Sequence, residues 1–213
     1  MVLTMDSKTK LLNSAFCEFA KNGFLGATTR DIAKNAKINI SAILYYFGGK
    51  RGLYTAVLQE IVQTVKDKSG NIWERCQNVE KNGNQQEALD LLNDLIHRFL
   101  QLLCGDEISK DMKTIFFAEY SRPTAEFSIL YDGLIFPVFR MMAALLTQAS
   151  GGKIAIKDAY LYMFPLFSQL FVFASRQETI CSFMEWSGYG KKEMQKLQEY
   201  MCQQIDFLLN KQK

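Results

Sequence analysis

Three prolines in 213 residues leave little to interrupt a helix. The five cysteines, Cys17, Cys76, Cys104, Cys181 and Cys202, are odd in number, far apart and without a C-x-x-C pair. That excludes a disulfide-stapled scaffold and a cysteine-rich metal site, and reads as reduced thiols in a cytoplasmic protein. There is one histidine, His97, and its neighbours Leu95, Ile96, Phe99 and Leu100 look like core. No H-E-x-x-H, nucleophile elbow, phosphate-cradling glycine loop or cluster of metal ligands occurs. The expectation is no catalytic residue, no metal and no cofactor, so an enzyme reading fails for want of a polar cluster. The beginning, MVLTMDSKTK, lacks the charged-then-apolar layout of a signal peptide, and no stretch approaches ~20 uninterrupted apolar residues. A membrane is therefore not an expected partner.

Period-two alternation, internal repeats and low-complexity tracts are lacking too, so what remains is helical. Hydrophobic residues make up 48% and charged residues 22%, the balance of an ordinary globular chain. At this length folding buries roughly 70% of the unfolded chain's surface, enough for a core without staples. Residues 1–70 hold eight Lys and two Arg against three Asp and two Glu, or +5, whereas the whole chain is only +3. The basic excess sits in the first third, which suits a polyanionic partner there.

From Lys8 to Asn22, Leu11, Leu12, Ala15, Phe16, Phe19 and Ala20 recur at steps of three and four, predicting a helix that Gly23 ends. Thr28 and Thr29 offer caps for a short second helix carrying Asp31, Ile32, Ala33 and Ala36. Lys37 and Ile38 make a turn too brief for a linker, and Asn39 or Ser41 can cap a third helix to about Phe47. Three helices in forty residues with a tight turn between the last two predict a helix-turn-helix. Such a motif inserts its second helix into the DNA major groove while hydroxyls, lysines and amides hold phosphates. Ile43 and Phe47, four apart, form the buried side of that helix, leaving Ile40, Ser41, Leu44 and Tyr45 facing elsewhere. Tyr46 and Phe47 have a plain alternative role as packing, and Lys50 and Arg51 alone would read as solvated surface.

After Gly48 and Gly49 a long helical pattern runs from near Arg51 toward Trp73, QNVEKNGNQQ at 77–86 reads as a polar connector, and further helical blocks fall near 88–104, 108–121, 124–148, 155–183 and 191–210. The fold class is all-α. Pro137 and Pro165 lie inside helical patterns and predict kinks or restarts. Glu119, Arg122 and Pro123 read as a local ion pair closing one helix before the next.

The run ATTRDIAKNAKINISAILYYFGGKRGLY, preceded by AFCEFAKNGF, resembles the DNA-binding domain of the TetR family of transcriptional regulators over roughly residues 8–58. FFAEYSRPT at 116–124, the P-x-F helix from Pro137 and FMEWSGYG at 183–190 resemble the CecR-like subgroup of that family. The resemblance implies an N-terminal three-helix helix-turn-helix domain, residues 1–52, and a C-terminal helical effector-binding and dimerisation domain, residues 53–213. It places Arg30, Ile40, Ser41 and Leu44 nearest the bases, and Thr29, Ala42, Tyr45, Tyr46 and Lys50 at the DNA backbone. Two positions depart from the family pattern: the turn residue usually held by glycine is Lys37, and Leu44 stands where many members have tyrosine. The second departure implies an altered base preference, toward contact with a thymine methyl.

For the larger domain the resemblance implies a small-molecule cavity and a dimer interface made by the last helices. Phe116, Tyr120, Phe139, Met142 and Phe167 are the candidate pocket residues, from a dense set of aromatic and methionine side chains most of which must be core. LYMFPLFSQLFVFASR at 161–176 is apolar nearly all round and needs cover on several sides, so Phe164, Ser168 and Phe171 are candidates for the interface with a second copy. The expected protein is a cytoplasmic, homodimeric, ligand-responsive regulator, a repressor, whose partners are pseudo-palindromic double-stranded DNA and a small-molecule effector. The alternative is a constitutive DNA-binding regulator without an effector.

Overall fold

The computed structural model describes residues 6–210, and among them every regular element is a helix. Two compact units emerge: Met1–Thr64 with Ser109–Leu134, and Val65–Ile108 with Ile135–Lys213.

In the first unit α1 (Ser7–Gly26) starts at Asp6, whose carboxyl accepts the Thr9 N–H at 2.7 Å. It buries Leu11, Ala15, Phe16 and Phe19, the stripe its spacing predicts, and its regular winding breaks at Gly23 (φ 65°). Thr28 caps α2 (Thr29–Ala36) by accepting the Asp31 N–H at 3.1 Å. Lys37 ends that helix at φ 57°, and Ile38 N–H closes the turn on the Ala33 carbonyl at 3.0 Å. α3 (Ser41–Phe47) follows α2 after the four residues 37–40, then Gly48 and Gly49, both at positive φ, lead straight into α4 (Lys50–Lys68). α7 (Lys110–Ser121) packs along α1, and a single turn, α8 (Ser128–Leu130), completes the unit.

In the second unit α6 (Gln85–Cys104) is the central helix, buried along Leu91, Leu92, Leu95, Ile96, Phe99 and Leu100. It packs on α5 (Ile72–Asn82), α9 (Phe136–Ala149), α10 (Ile156–Ser175) and α12 (Lys191–Asn210), while α11 (Gln177–Met184) joins α10 to α12.

Three expectations need correction. The helix from Arg51 does not reach Trp73: it stops at Lys68, and Gly70 (φ 62°) turns the chain into α5. Most of the expected connector 77–86 is helical, because Ile72, Cys76 and Val79 form one apolar stripe. Only Gly83 and Asn84 connect α5 to α6, and Asn84 and Glu87 form a reciprocal capping box. The block 155–183 divides at Arg176. At Pro137 the helix restarts, one of the two outcomes its position allowed: the π-helical turn Tyr131–Ile135 precedes it and places proline in the first turn of α9, where a missing N–H is tolerated. The helical stretch Ser128–Ala149 has the length and apolar composition to cross a membrane, but over half of its apolar window is buried inside the protein.

Candidate nucleic-acid interface

α3 has one fully buried side chain, Ile43, and Phe47 is half-buried beside the turn into α4. Everything else of size points outward. Leu44 is 70% exposed and Tyr45 82%, with Ile40 and Tyr46 also exposed. Asn39 Oδ1 accepts both the N–H of Ser41 at 2.9 Å and its hydroxyl at 2.8 Å, which fixes the first turn of this short helix. Tyr45 and Tyr46 meet edge to face with ring centroids 4.9 Å apart, so each stiffens the other. An exposed apolar and aromatic helix face costs solvation in the free protein, and a functional surface is the usual reason for one.

Of the other residues predicted to reach DNA, Arg30 is exposed on α2, and Thr29 and Ala42 are half-buried at the starts of α2 and α3. Lys50 is not the mobile cation its position after a glycine pair suggests. Its ammonium donates to the Leu25 carbonyl at 3.1 Å and lies 4.9 Å over the Phe24 ring. An ammonium has three donors, so two remain for a further acceptor.

The first turns of α4 carry contacts that no local pattern announces. Tyr54 packs its ring against Phe19 and Phe24, at 4.7 and 4.9 Å between centroids. Its hydroxyl donates to Glu119 at 2.6 Å, and Glu119, 1% exposed, also accepts from the Thr124 N–H and hydroxyl at 3.1 and 3.2 Å. Burial, reinforced by the bond to Glu119, pushes the Tyr54 phenol far above its usual range, so it stays a donor. The buried carboxyl of Glu126 pairs with Arg51. The ion pair expected between Glu119 and Arg122 is thus replaced: Tyr54 and Thr124 satisfy Glu119, while Arg122 is exposed at the end of α7.

The candidate pocket residues fall in both units. Phe116 is buried with its ring stacked at 6.4 Å on Tyr120, whose phenol burial raises. Phe139, Met142 and Phe167 are core of the second unit, with Phe139 and Phe167 4.8 Å apart. A separate groove of about 580 Å³ opens among α10, α11 and α12, lined in part by Ser168, Gln169, Met184, Trp186, Lys196 and Tyr200. Leu161, Phe164 and Val172 expose large apolar surface on one stripe of α10 that includes Ser168, and Ser168 and Val172 of that stripe also line the groove. The Ser168 hydroxyl is turned back onto the Phe164 carbonyl at 2.8 Å. Phe171 is only 8% exposed and rests against Phe167.

His97 shares a 2.8 Å contact with Gln101, and no group of three or more potential metal ligands occurs among the described residues. Burial pushes the Cys76 thiol up to about 11; a hydrogen bond to Asp111 raises Cys17, and burial raises Cys202. These three thiols stay protonated at neutral pH.

A three-helix unit whose last helix exposes its long side chains beyond a tight turn defines a helix-turn-helix DNA-binding protein. Residues 11–57 match the family described as bacterial regulatory proteins, tetR family, and residues 88–211 match the C-terminal domain of the HTH-type transcriptional dual regulator CecR. The chain belongs to the TetR family of transcriptional regulators and carries a CecR-type C-terminal domain; it is not an enzyme. It is 24% identical to the HTH-type transcriptional dual regulator CecR of Shigella flexneri, covering 95% of this chain and 91% of that protein. A shorter match, 30% identical over 53% of this chain and 56% of the relative, is to the probable HTH-type transcriptional regulator YttP of Bacillus subtilis strain 168. In fold it is similar to a member of the TetR transcriptional regulator family from Streptomyces coelicolor A3, with TM-score 0.60, 18% identity, and coverage of 95% and 92% of the two chains.

Proposed function

We propose that the chain is a cytoplasmic, ligand-responsive repressor that binds pseudo-palindromic duplex DNA as a homodimer and leaves it when a small molecule binds. Residues 1–52 serve DNA binding and residues 53–213 serve effector binding and dimerisation. The observation that carries this reading is the face of α3: Ile40, Leu44 and Tyr45 stand exposed around a helix whose one fully buried side chain is Ile43. Arg30, Ile40, Ser41 and Leu44 read bases, and Thr29, Ala42, Tyr45, Tyr46 and Lys50 hold the backbone.

Dimerisation is supported by the stripe Leu161, Phe164, Ser168 and Val172 on α10 with Tyr200 and Phe207 exposed on α12. A second copy covers this stripe, with Phe171 supporting it from beneath. Phe139, Met142 and Phe167 in the second unit are candidate effector walls, and Phe116 and Tyr120 in the first unit are a separate candidate pair. An effector that prefers one spacing of the two DNA-reading helices opposes the operator by a coupling of about 1–3 kcal/mol.

The test is fluorescence anisotropy of an operator duplex with the intact protein, titrated with a panel of small apolar and amphipathic compounds, alongside a reporter carrying the operator over its promoter. Expected are release of DNA by at least one compound and lower reporter output with the protein present. Tight DNA binding that no compound weakens would favour the constitutive alternative.

A further inference from the structure

The turn between the DNA-facing helix and α4 is two residues long, Gly48 and Gly49, and hydrogen bonds close it from both sides: Gly48 N–H on the Leu44 carbonyl at 2.9 Å and Leu53 N–H on the Gly49 carbonyl at 3.0 Å. The start of α4 therefore carries α3 with it. Two neighbouring side chains of that start, Arg51 and Tyr54, are three apart and share one side of the helix. Each ends on a different buried carboxyl of one short segment, Tyr54 on Glu119 and Arg51 on Glu126.

The segment is knotted to itself as well. The Thr124 hydroxyl donates to the Glu119 carboxyl and accepts the Glu126 backbone N–H at 3.3 Å, so the residue between them ties the Glu119 side chain to the Glu126 main chain. Packing alone does not need two acids here. Replaced by apolar side chains, such a pair often costs nothing, whereas removing one partner strands the other buried polar group. What two directional contacts supply, and an apolar patch does not, is a fixed rotation of α4 about its axis.

We propose that Glu119 and Glu126 are positioning residues for DNA binding: together they lock the rotational setting of α4, and through the Gly48–Gly49 turn the angle at which α3 is presented. This rests on the reading of α3 as the DNA-reading helix. It makes residues 119–126 the place where any displacement in α7 or α8 reaches α3.

The test compares Tyr54→Phe and Glu126→Gln, each in the 213-residue chain, with wild type. Hydrogen exchange of amides 41–54 is measured against that of α6 and α9, together with affinity and salt dependence for duplex DNA. The expected result is exchange in 41–54 faster by about fivefold or more with α6 and α9 unchanged, and DNA affinity lower by about fivefold to tenfold at an unchanged salt slope. Unchanged exchange at 41–54 in both variants, or a rise shared equally by α6 and α9, would overturn the proposal. Should wild type bind no duplex, the DNA-binding reading fails, and exchange alone still decides whether the carboxyls set α3.

Discussion

The ammonium of Lys50, the first residue of α4, donates to the carbonyl of Leu25 at the end of α1, 3.1 Å away, with the Phe24 ring beneath it. A residue that sequence assigns to phosphate contact thus also ties two helices together. The geometry pre-orders a cation beside the DNA-facing helix, so less side-chain entropy remains to be lost on binding.

Lys50→Ala is expected to weaken binding to every duplex by a similar factor and to lower the slope of log affinity against log salt by about one unit. Stability should fall by about 0.5–1 kcal/mol as the ring contact is lost. Salt titrations with two unrelated duplexes check the first outcome, and an unchanged slope would leave Lys50 a purely structural residue.

Leu44→Ala removes the most prominent apolar side chain of α3 that faces solvent without touching the core. Base preference should change at one or two positions of each half-site, by about 1–3 kcal/mol between favoured and disfavoured bases. A uniform loss across a mismatch series would refute the assignment.

Lys37 holds a left-handed backbone at φ 57° in the turn between α2 and α3. The left-handed region costs a residue with a Cβ about 1–2 kcal/mol, part of which glycine returns as greater freedom in the unfolded chain. Lys37→Gly should therefore raise stability by about 0.5–1 kcal/mol in denaturant melts. A loss of stability would show that the lysine side chain contributes more than its backbone strain costs.

How much of this was legible beforehand depended on range. Helices α1 to α3 show in the sequence because their signals are local: apolar steps of three and four, a threonine cap, a glycine pair. Helix α5 hid behind its polar face, with only Ile72, Cys76 and Val79 to betray a stripe, and Gly70 was the unread stop signal. The contacts of Tyr54 with Glu119 and of Arg51 with Glu126 span 65 and 75 residues, and nothing in either local stretch names the other. The apolar run of α10 announced the need for cover, but which of its residues stay exposed depends on what α6 and α9 already bury, so Phe164 and Phe171 looked alike until the helices were packed.

Phe164→Asp places a charge on the exposed stripe of α10. If a second copy covers that stripe, the dimer should weaken by about a hundredfold or more, since a phenylalanine is unburied and a charge desolvated in each copy. Sedimentation across a dilution series reads this directly, and a variant as dimeric as wild type would move the interface elsewhere.

Glu107 accepts from the Arg98 guanidinium at 2.7 and 2.8 Å, and those bonds hold its carboxyl below the ordinary 4.5. A depressed carboxyl adds stability above its unfolded value and loses it as pH falls through the folded one. The advantage of wild type over Glu107→Gln should therefore be present at neutral pH, stay under about 1 kcal/mol because the pair is partly solvated, and fade below its unfolded value of 4.5. An advantage that grows on acidification would contradict the cause given for the shift.

Selection of bound sequences from a random duplex pool at fixed salt, with the purified protein, decides whether the chain is a dimeric, sequence-specific DNA reader. Such a reader enriches a pseudo-palindrome with half-sites about one helical turn, or a multiple of one, apart. A folded protein that enriches no motif would contradict that reading.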